Sequence, residues 1–167
     1  MLSTDRVVHE LYEDDDVISA VRGRFGDAIE RDGVVDRAAL ARVAFATASD
    51  REWLEKLLWP RVGSRIAAWR RSFAESPDPP RALVVEVPLL FESGMEGVFD
   101  ATIAVVASEE LRASRAGARG HEALEERSAR QLPQKEKAHR ATYVVVNEGT
   151  VKELDSKLSE LLEMLAS

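Results

Sequence analysis

An α/β fold built on a parallel sheet is what this sequence predicts, and three observations predict it. Ala82 to Val87, Ala101 to Val106 and Tyr143 to Val146 are short runs rich in β-branched residues and free of polar alternation, the pattern of strands buried on both faces. Helical sequence of about the length a parallel crossover needs separates the second run from the third. The third is followed by Val151, Leu154, Leu158, Leu161, Leu162 and Leu165, an apolar stripe at helical spacing. Strand, connection, strand, helix, strand, helix is the order of a three-layer sheet with helices on its faces.

The chain ahead of the first run reads differently. From Thr4 to Ala74 the signals are helical. Glu13-Asp14-Asp15-Asp16 is a solvated loop and helix start, and Asp32-Gly33 marks a turn. Asp36 is placed to cap a helix bearing Leu40, Val43, Ala44 and Phe45. Asp50 is read as the cap of another helix, carrying Trp53, Leu54, Leu57 and Leu58. Pro60 interrupts it and opens a further helix with Val62, Ile66 and Trp69 as its stripe. Ser76-Pro-Asp-Pro-Pro80 is too rich in proline for helix or central strand and reads as a boundary. There is no internal repeat.

Composition narrows the function. A length of 167 residues with 45% apolar and 32% charged side chains fits one globular domain with a sizeable core. The absence of cysteine removes disulfides, thiol nucleophiles and cysteine-ligated zinc from consideration. His9, His121 and His139 have no ligand-like spacing, and no protein-bound metal is expected. No apolar run is long enough to span a bilayer, and the first residues lack the features of a signal peptide, so a cytoplasmic protein without a membrane partner is expected.

A net charge of -7 argues against nucleic acid as a partner. That charge is unevenly spread. Between Arg112 and Arg140, eight basic residues (Arg112, Arg115, Arg119, Arg127, Arg130, Lys135, Lys137, Arg140) stand against Glu122, Glu125, Glu126 and Glu136. Such a stretch suits the gripping of a small polyanion, and it equally suits a solvated helix face.

The segment with the clearest chemical content follows the first strand. Arg81-Ala-Leu-Val-Val-Glu-Val-Pro88 runs into Leu89-Leu90-Phe91-Glu92, which sets a proline, an apolar cluster and a carboxylate at the carboxyl end of a strand. Open α/β sheets bind their ligands at that end. Packing of the same apolar residues into the core is the plainer alternative.

Several stretches, taken in order, agree with one family. Thr4-Asp5-Arg6-Val7-Val8-His9-Glu10-Leu11, then Phe25-Gly26, the block from Asp32 through Phe45, Val87-Pro-Leu-Leu-Phe-Glu92, Arg115 and Arg119 with Arg127 and Gln131, and finally Ala141, Tyr143, Asn147, Gly149 and Leu154 resemble dephospho-coenzyme A kinase, a member of the P-loop nucleotide-kinase superfamily. The resemblance implies a single kinase-like domain over 1–167, with a helical substrate-side region at 8–76 and a lid region at 112–137. It also implies transfer of the ATP γ-phosphoryl group to the ribose 3′-hydroxyl of dephospho-coenzyme A, with Mg2+ arriving on the ATP.

Phosphoryl transfer depends on positioning and charge stabilisation, and the resemblance assigns residues to both. Asp5 orients the acceptor hydroxyl and takes its proton. On residue type alone, Asp5 serves equally well as the cap of the helix carrying Val8 and Leu11. Arg115 and Arg119, four apart and on one helix face, stabilise the transferring phosphoryl and bind nucleotide, together with Arg127. Surface pairing of the first two with Glu109 or Glu110 is the alternative. Pro88, Leu89, Leu90, Phe91 and Glu92 form the acceptor wall, while Asn147 and Gly149 lie beside the adenine. The stretch from Arg119 to Gln131 is shorter than the family's. Ser3, Trp59 and Thr142 stand where the family usually has aspartate, histidine and aspartate.

One element of the superfamily is missing from these residues. Gly-x-x-x-x-Gly-Lys-[Ser/Thr], the loop that cradles ATP phosphates between the first strand and first helix, does not occur in the 167 residues. The expectation is an N-terminally shortened kinase that lacks the first strand and the loop, folds marginally and does not turn over alone. A non-catalytic nucleotide- or coenzyme A-binding remnant, and another nucleotide kinase of the superfamily, are the alternatives.

Overall fold

The computed structural model describes residues 1–31, 33–117 and 131–165, and the chain divides into two units, Met1–Pro88 and Leu89–Ser167. In the first unit, β1 (Leu2–Ser3) leads directly into α1 (Thr4–Leu11), then α2 (Asp15–Phe25), a 3-10 turn at Asp27–Ile29, and the antiparallel hairpin of β2 (Glu30–Arg31) and β3 (Val34–Val35). Gly33 takes a φ of 81° in that hairpin, a conformation side chains resist. Helices α3 (Arg37–Ala44) and α4 (Ala48–Ala74) follow, and β4 (Val85–Glu86) returns to pair in parallel with β1, Leu2 opposite Val85 and Ser3 opposite Glu86.

This unit is organised by apolar residues four apart. Val7 and Leu11, Val17 and Val21, Leu40 and Ala44, and Leu54, Leu58 and Val62 each fall on one helix face, and all are buried in one cluster with Ile29 and Val35. The Asp36 cap expected from sequence is present: its Oδ1 accepts from the N–H groups of Ala38 and Ala39, both at 3.0 Å.

Three local expectations are corrected. Asp50 is not the cap of its helix. Thr47 is, with its Oγ1 accepting from Asp50 N at 3.1 Å and donating to Asp50 Oδ2 at 2.8 Å, so cap and aspartate satisfy each other three residues apart. Nor does Pro60 interrupt: α4 runs through it for 27 residues. A proline costs a helix one backbone bond, but here Leu58 and Val62 bury on either side, while Arg61 and Arg65 reach Asp16 and Asp14 at 2.7 and 3.0 Å. Glu13 to Asp16 is therefore not only a solvated run: Asp14 and Asp16 fix the start of α2 to the middle of α4.

The second unit opens with a turn through Gly94 and a 3-10 turn at Met95–Val98. Next come β5 (Ile103–Val106), α5 (Glu109–Gly117), α6 (Gln134–Arg140), β6 (Tyr143–Val146) and α7 (Val151–Leu165). Strands β5 and β6 pair in parallel over four residues, Ile103 with Tyr143 through Val106 with Val146. Thr102 and Thr142 start the pair by exchanging bonds, each backbone N–H donating to the other's Oγ1 at 3.0 to 3.1 Å. Thr142 is thus engaged structurally.

The overall class is α/β with inserted helices, but the described strands form three two-stranded sheets, two parallel and one antiparallel. The expectation of strands buried on both faces does not hold either. Val105, Val144 and Val146 are 45 to 48% exposed, and α7 has no fully buried residue. Each strand has a single hydrogen-bonded neighbour among the described residues, which leaves its other edge and part of its faces uncovered. Among the described residues no helix is long and apolar enough to cross a membrane.

Candidate active site

In the first unit, the two parallel strands bring Asp5 and Pro88 to one end. Ser3 lies opposite Glu86, and each site residue stands two positions beyond its strand partner. Thr4, buried, seals the junction by donating from Oγ1 to Glu86 O at 3.1 Å. Asp5 then falls in the first turn of α1, exposed, with no ion pair or hydrogen bond to its carboxylate among the described residues. It does not cap the helix, because Ser3 occupies the N-cap position. A carboxylate there lies at the positive end of the helix dipole.

His9 lies one turn further along α1, and its Nε2 accepts from the Arg37 guanidinium on α3. Tyr12, just past the same helix, has its phenol pushed up to about 12 by burial, partly opposed by the nearby charge of Arg37. Among the described residues, no group of three or more His, Asp or Glu side chains is arranged to hold a metal.

The wall residues divide by environment. Pro88 and Leu89 are exposed, Leu90 is half-buried, and Phe91 is buried. The Arg140 guanidinium lies 5.3 Å from the centre of the Phe91 ring and also pairs with Glu96. Glu92 is mostly buried. Its Oε1 accepts from Lys137 Nζ and from the backbone N–H of Leu132, both at 2.8 Å. Burial pushes its carboxyl up, but the Lys137 ammonium and the Leu132 N–H outweigh that and hold it below the usual carboxylate range. Its polar contact is made within the protein.

The second cluster lies at the carboxyl ends of β5 and β6. Asn147 N–H continues the ladder to Val106 O at 2.7 Å. Arg115, reaching from α5, donates from Nη1 to Asn147 O at 3.0 Å and from Nη2 to Gly149 O at 2.7 Å. Arg115 thereby contacts two other residues named from sequence. The alternative pairing of Arg115 with Glu109 is not what forms, since Arg112 takes that carboxylate at 3.8 Å. Arg119 and Arg127 lie outside the described residues.

Sequence reasoning passed over several residues that build these sites. Gln134 makes two bonds to the backbone of Ala107, its Nε2 to the carbonyl at 2.8 Å and its Oε1 from the N–H at 3.0 Å, mimicking one more strand residue. Lys157 Nζ donates to Val146 O at 2.8 Å, and Glu148 Oε1 accepts from Ser108 N–H at 2.9 Å. Lys137 and Arg140 carried a signal, as members of the basic stretch. The signal pointed to an external polyanion, whereas in the structure both reach internal glutamates.

Comparison with known proteins supplies the context for this arrangement. The family described as Dephospho-CoA kinase matches residues 1–153. The Dephospho-CoA kinase of Protochlamydia amoebophila is 36% identical over 168 residues, 98% of this chain and 83% of that protein. That of Thermosynechococcus vestitus is 35% identical over 153 residues, covering 89% of this chain and 73% of that one. A crystal structure from Thermus thermophilus superposes with a TM-score of 0.79 at 33% identity, covering 98% of this chain and 83% of its own. The Campylobacter jejuni Dephospho-CoA kinase shares the fold at a TM-score of 0.69 and 20% identity, over 99% and 84% of the two chains.

Proposed function

The chain belongs to the dephospho-CoA kinase family, and on that premise we propose that these 167 residues carry the acceptor side and the base side of an ATP-dependent phosphotransferase. The reaction moves the γ-phosphoryl group of ATP, bound with Mg2+, to the ribose 3′-hydroxyl of dephospho-coenzyme A. Asp5 carries the proposal: an exposed, unpartnered carboxylate in the first turn of a helix, immediately past the end of a parallel strand. A group so placed is free to accept the proton of an incoming hydroxyl and to hold it in line. Pro88, Leu89 and Leu90 offer the apolar wall beside the acceptor. Asn147 and Gly149 form the loop beside the purine, and Arg115, Arg119 and Arg127 act on the nucleotide side.

Phosphate cradling belongs to a strand and Gly-x-x-x-x-Gly-Lys-[Ser/Thr] loop that the 167 residues do not contain. The exposed strand residues Val84, Val105, Val144 and Val146 support this assignment: apolar strand faces and open edges of this kind are normally covered in parallel sheets. In this reading the chain binds dephospho-coenzyme A but transfers phosphoryl groups poorly or not at all unaided. The test is a calorimetric titration with dephospho-coenzyme A beside a coupled ATPase assay. Binding without turnover is the expected result. Turnover at an ordinary kinase rate, on the order of 10 per second, would overturn the assignment of the cradle, and absence of binding would overturn the acceptor side.

A further inference from the structure

The loop from Asn147 to Gly149 has three residues and no ladder or helix of its own, yet it is tied from several directions. Asn147 N–H bonds to β5, Glu148 holds the Ser108 N–H at the start of α5, and Lys157 takes the carbonyl of Val146. Arg115 makes the central tie, with one arm of its fork on the carbonyl of Asn147 and the other on that of Gly149. No carboxylate lies within ion-pair reach of Arg115 among the described residues. Its charge is spent on two backbone dipoles, and the planar fork fixes their separation.

These bonds decide which groups the loop can still offer. The carbonyls of Val146, Asn147 and Gly149 are turned onto basic side chains. Among the hydrogen bonds of the described residues, the N–H groups of Glu148 and Gly149 and the carbonyl of Glu148 have no protein partner. Adjacent main-chain donors and an acceptor are the complement of a purine edge, which presents ring-nitrogen acceptors and an exocyclic amine donor.

We propose that Arg115 is a positioning residue for base recognition: it holds loop 147–149 in the shape that receives the purine and acts on the nucleotide through that loop, without touching the phosphates. The inference rests on the reading above that this loop lies beside the base. It departs from the role that the resemblance assigned to Arg115 at the transferring phosphoryl.

Adenosine, which has no phosphate, separates the two roles. The 167-residue chain and its Arg115→Ala and Arg115→Lys variants are titrated with adenosine and with ATP by saturation-transfer NMR, and hydrogen–deuterium exchange is followed peptide by peptide. Arg115→Ala should speed exchange in the peptide containing 147–150 by about tenfold or more, leave α4 unchanged, and weaken adenosine and ATP by the same factor, on the order of tenfold. Arg115→Lys should fall between, because one ammonium cannot span both carbonyls. Unchanged exchange at 147–150 would overturn the role of Arg115, as would a loss confined to ATP, the signature of a phosphate contact. Failure of the unsubstituted chain to bind adenosine, with exchange still accelerated in the variant, would instead overturn the base-side reading on which the proposal rests.

Discussion

Glu92 offers the sharpest test of how this chain uses its charges. The Glu92→Ala variant removes a carboxylate whose side chain is 12% exposed, and it takes that carboxylate away from a Lys137 ammonium that is 18% exposed and 2.8 Å away. At an effective dielectric of about 20, a pair at this distance gains roughly 6 kcal/mol of gross attraction, most of it offset by desolvation. Truncating one partner is more severe than that balance implies, because the other charge stays largely shielded from water; about 3 to 5 kcal/mol is the expected loss. The Leu132 N–H also loses its acceptor. For a chain of this size the loss corresponds to a fall in Tm of about 10 °C. Glu92→Gln keeps an acceptor for Leu132 and should cost less. In a double-mutant cycle with Lys137→Met, the two single losses should exceed the double by about 1 to 3 kcal/mol.

The same residue predicts a pH dependence with a defined sign. Its folded carboxyl titrates below the ordinary value of 4.5, so its contribution is complete above that value and is lost as pH falls through the lower folded one. Urea unfolding from pH 7 to pH 3 should show an acid limb that Glu92→Gln flattens. A cost below about 1 kcal/mol for Glu92→Ala, combined with weaker binding of dephospho-coenzyme A, would refute the clamp. It would return Glu92 to the substrate-facing role that its place at a strand end suggests.

Two further substitutions follow from local geometry. A Cβ at Gly149 would collide with the Glu153 carboxylate, which accepts from the N–H and hydroxyl of Thr150 at the start of α7. Gly149→Ala should lower Tm by a few degrees and reduce helix content by circular dichroism, and adding Glu153→Ala should cost little more, since the cap is already displaced. Asp5→Asn should leave Tm within about 2 °C, its side chain being exposed and unpartnered. In a chain extended with a phosphate-binding segment from a relative, the same change should lower kcat by about 10² to 10⁴, and a fall of less than tenfold would remove Asp5 from the acceptor step.

The first unit was legible because its signals are local. Val7 with Leu11, Val17 with Val21 and Leu54 with Leu58 state both helix and buried face within one turn, and Asp36 satisfies backbone groups two and three residues away. Where reading failed, competing local rules were in play. Thr47 and Asp50 are both good capping residues, and only the reciprocal bond shows which holds the N-cap. Pro60 obeys the rule that breaks helices, yet burial of Leu58 and Val62 across it decides the outcome. The strands were legible as composition but not as a continuous sheet, because β-branched runs state that they pair without stating with what.

The charged contacts were not legible, for a related reason. Glu92 and Leu132 are 40 residues apart, Glu96 and Arg140 are 44, and Arg115 and Asn147 are 32. A local excess of positive charge can be counted along a sequence; its partners cannot. Here Lys137 and Arg140 answer Glu92 and Glu96, and Arg115 answers the carbonyls of Asn147 and Gly149. Their charge is consumed in contacts within the protein. Phosphate affinity in this chain should therefore depend on ionic strength far less than its cluster of eight basic residues implies. A titration with inorganic triphosphate across a salt series checks this: a steep slope would mean that the internal pairs open to the anion, and a shallow one that they hold.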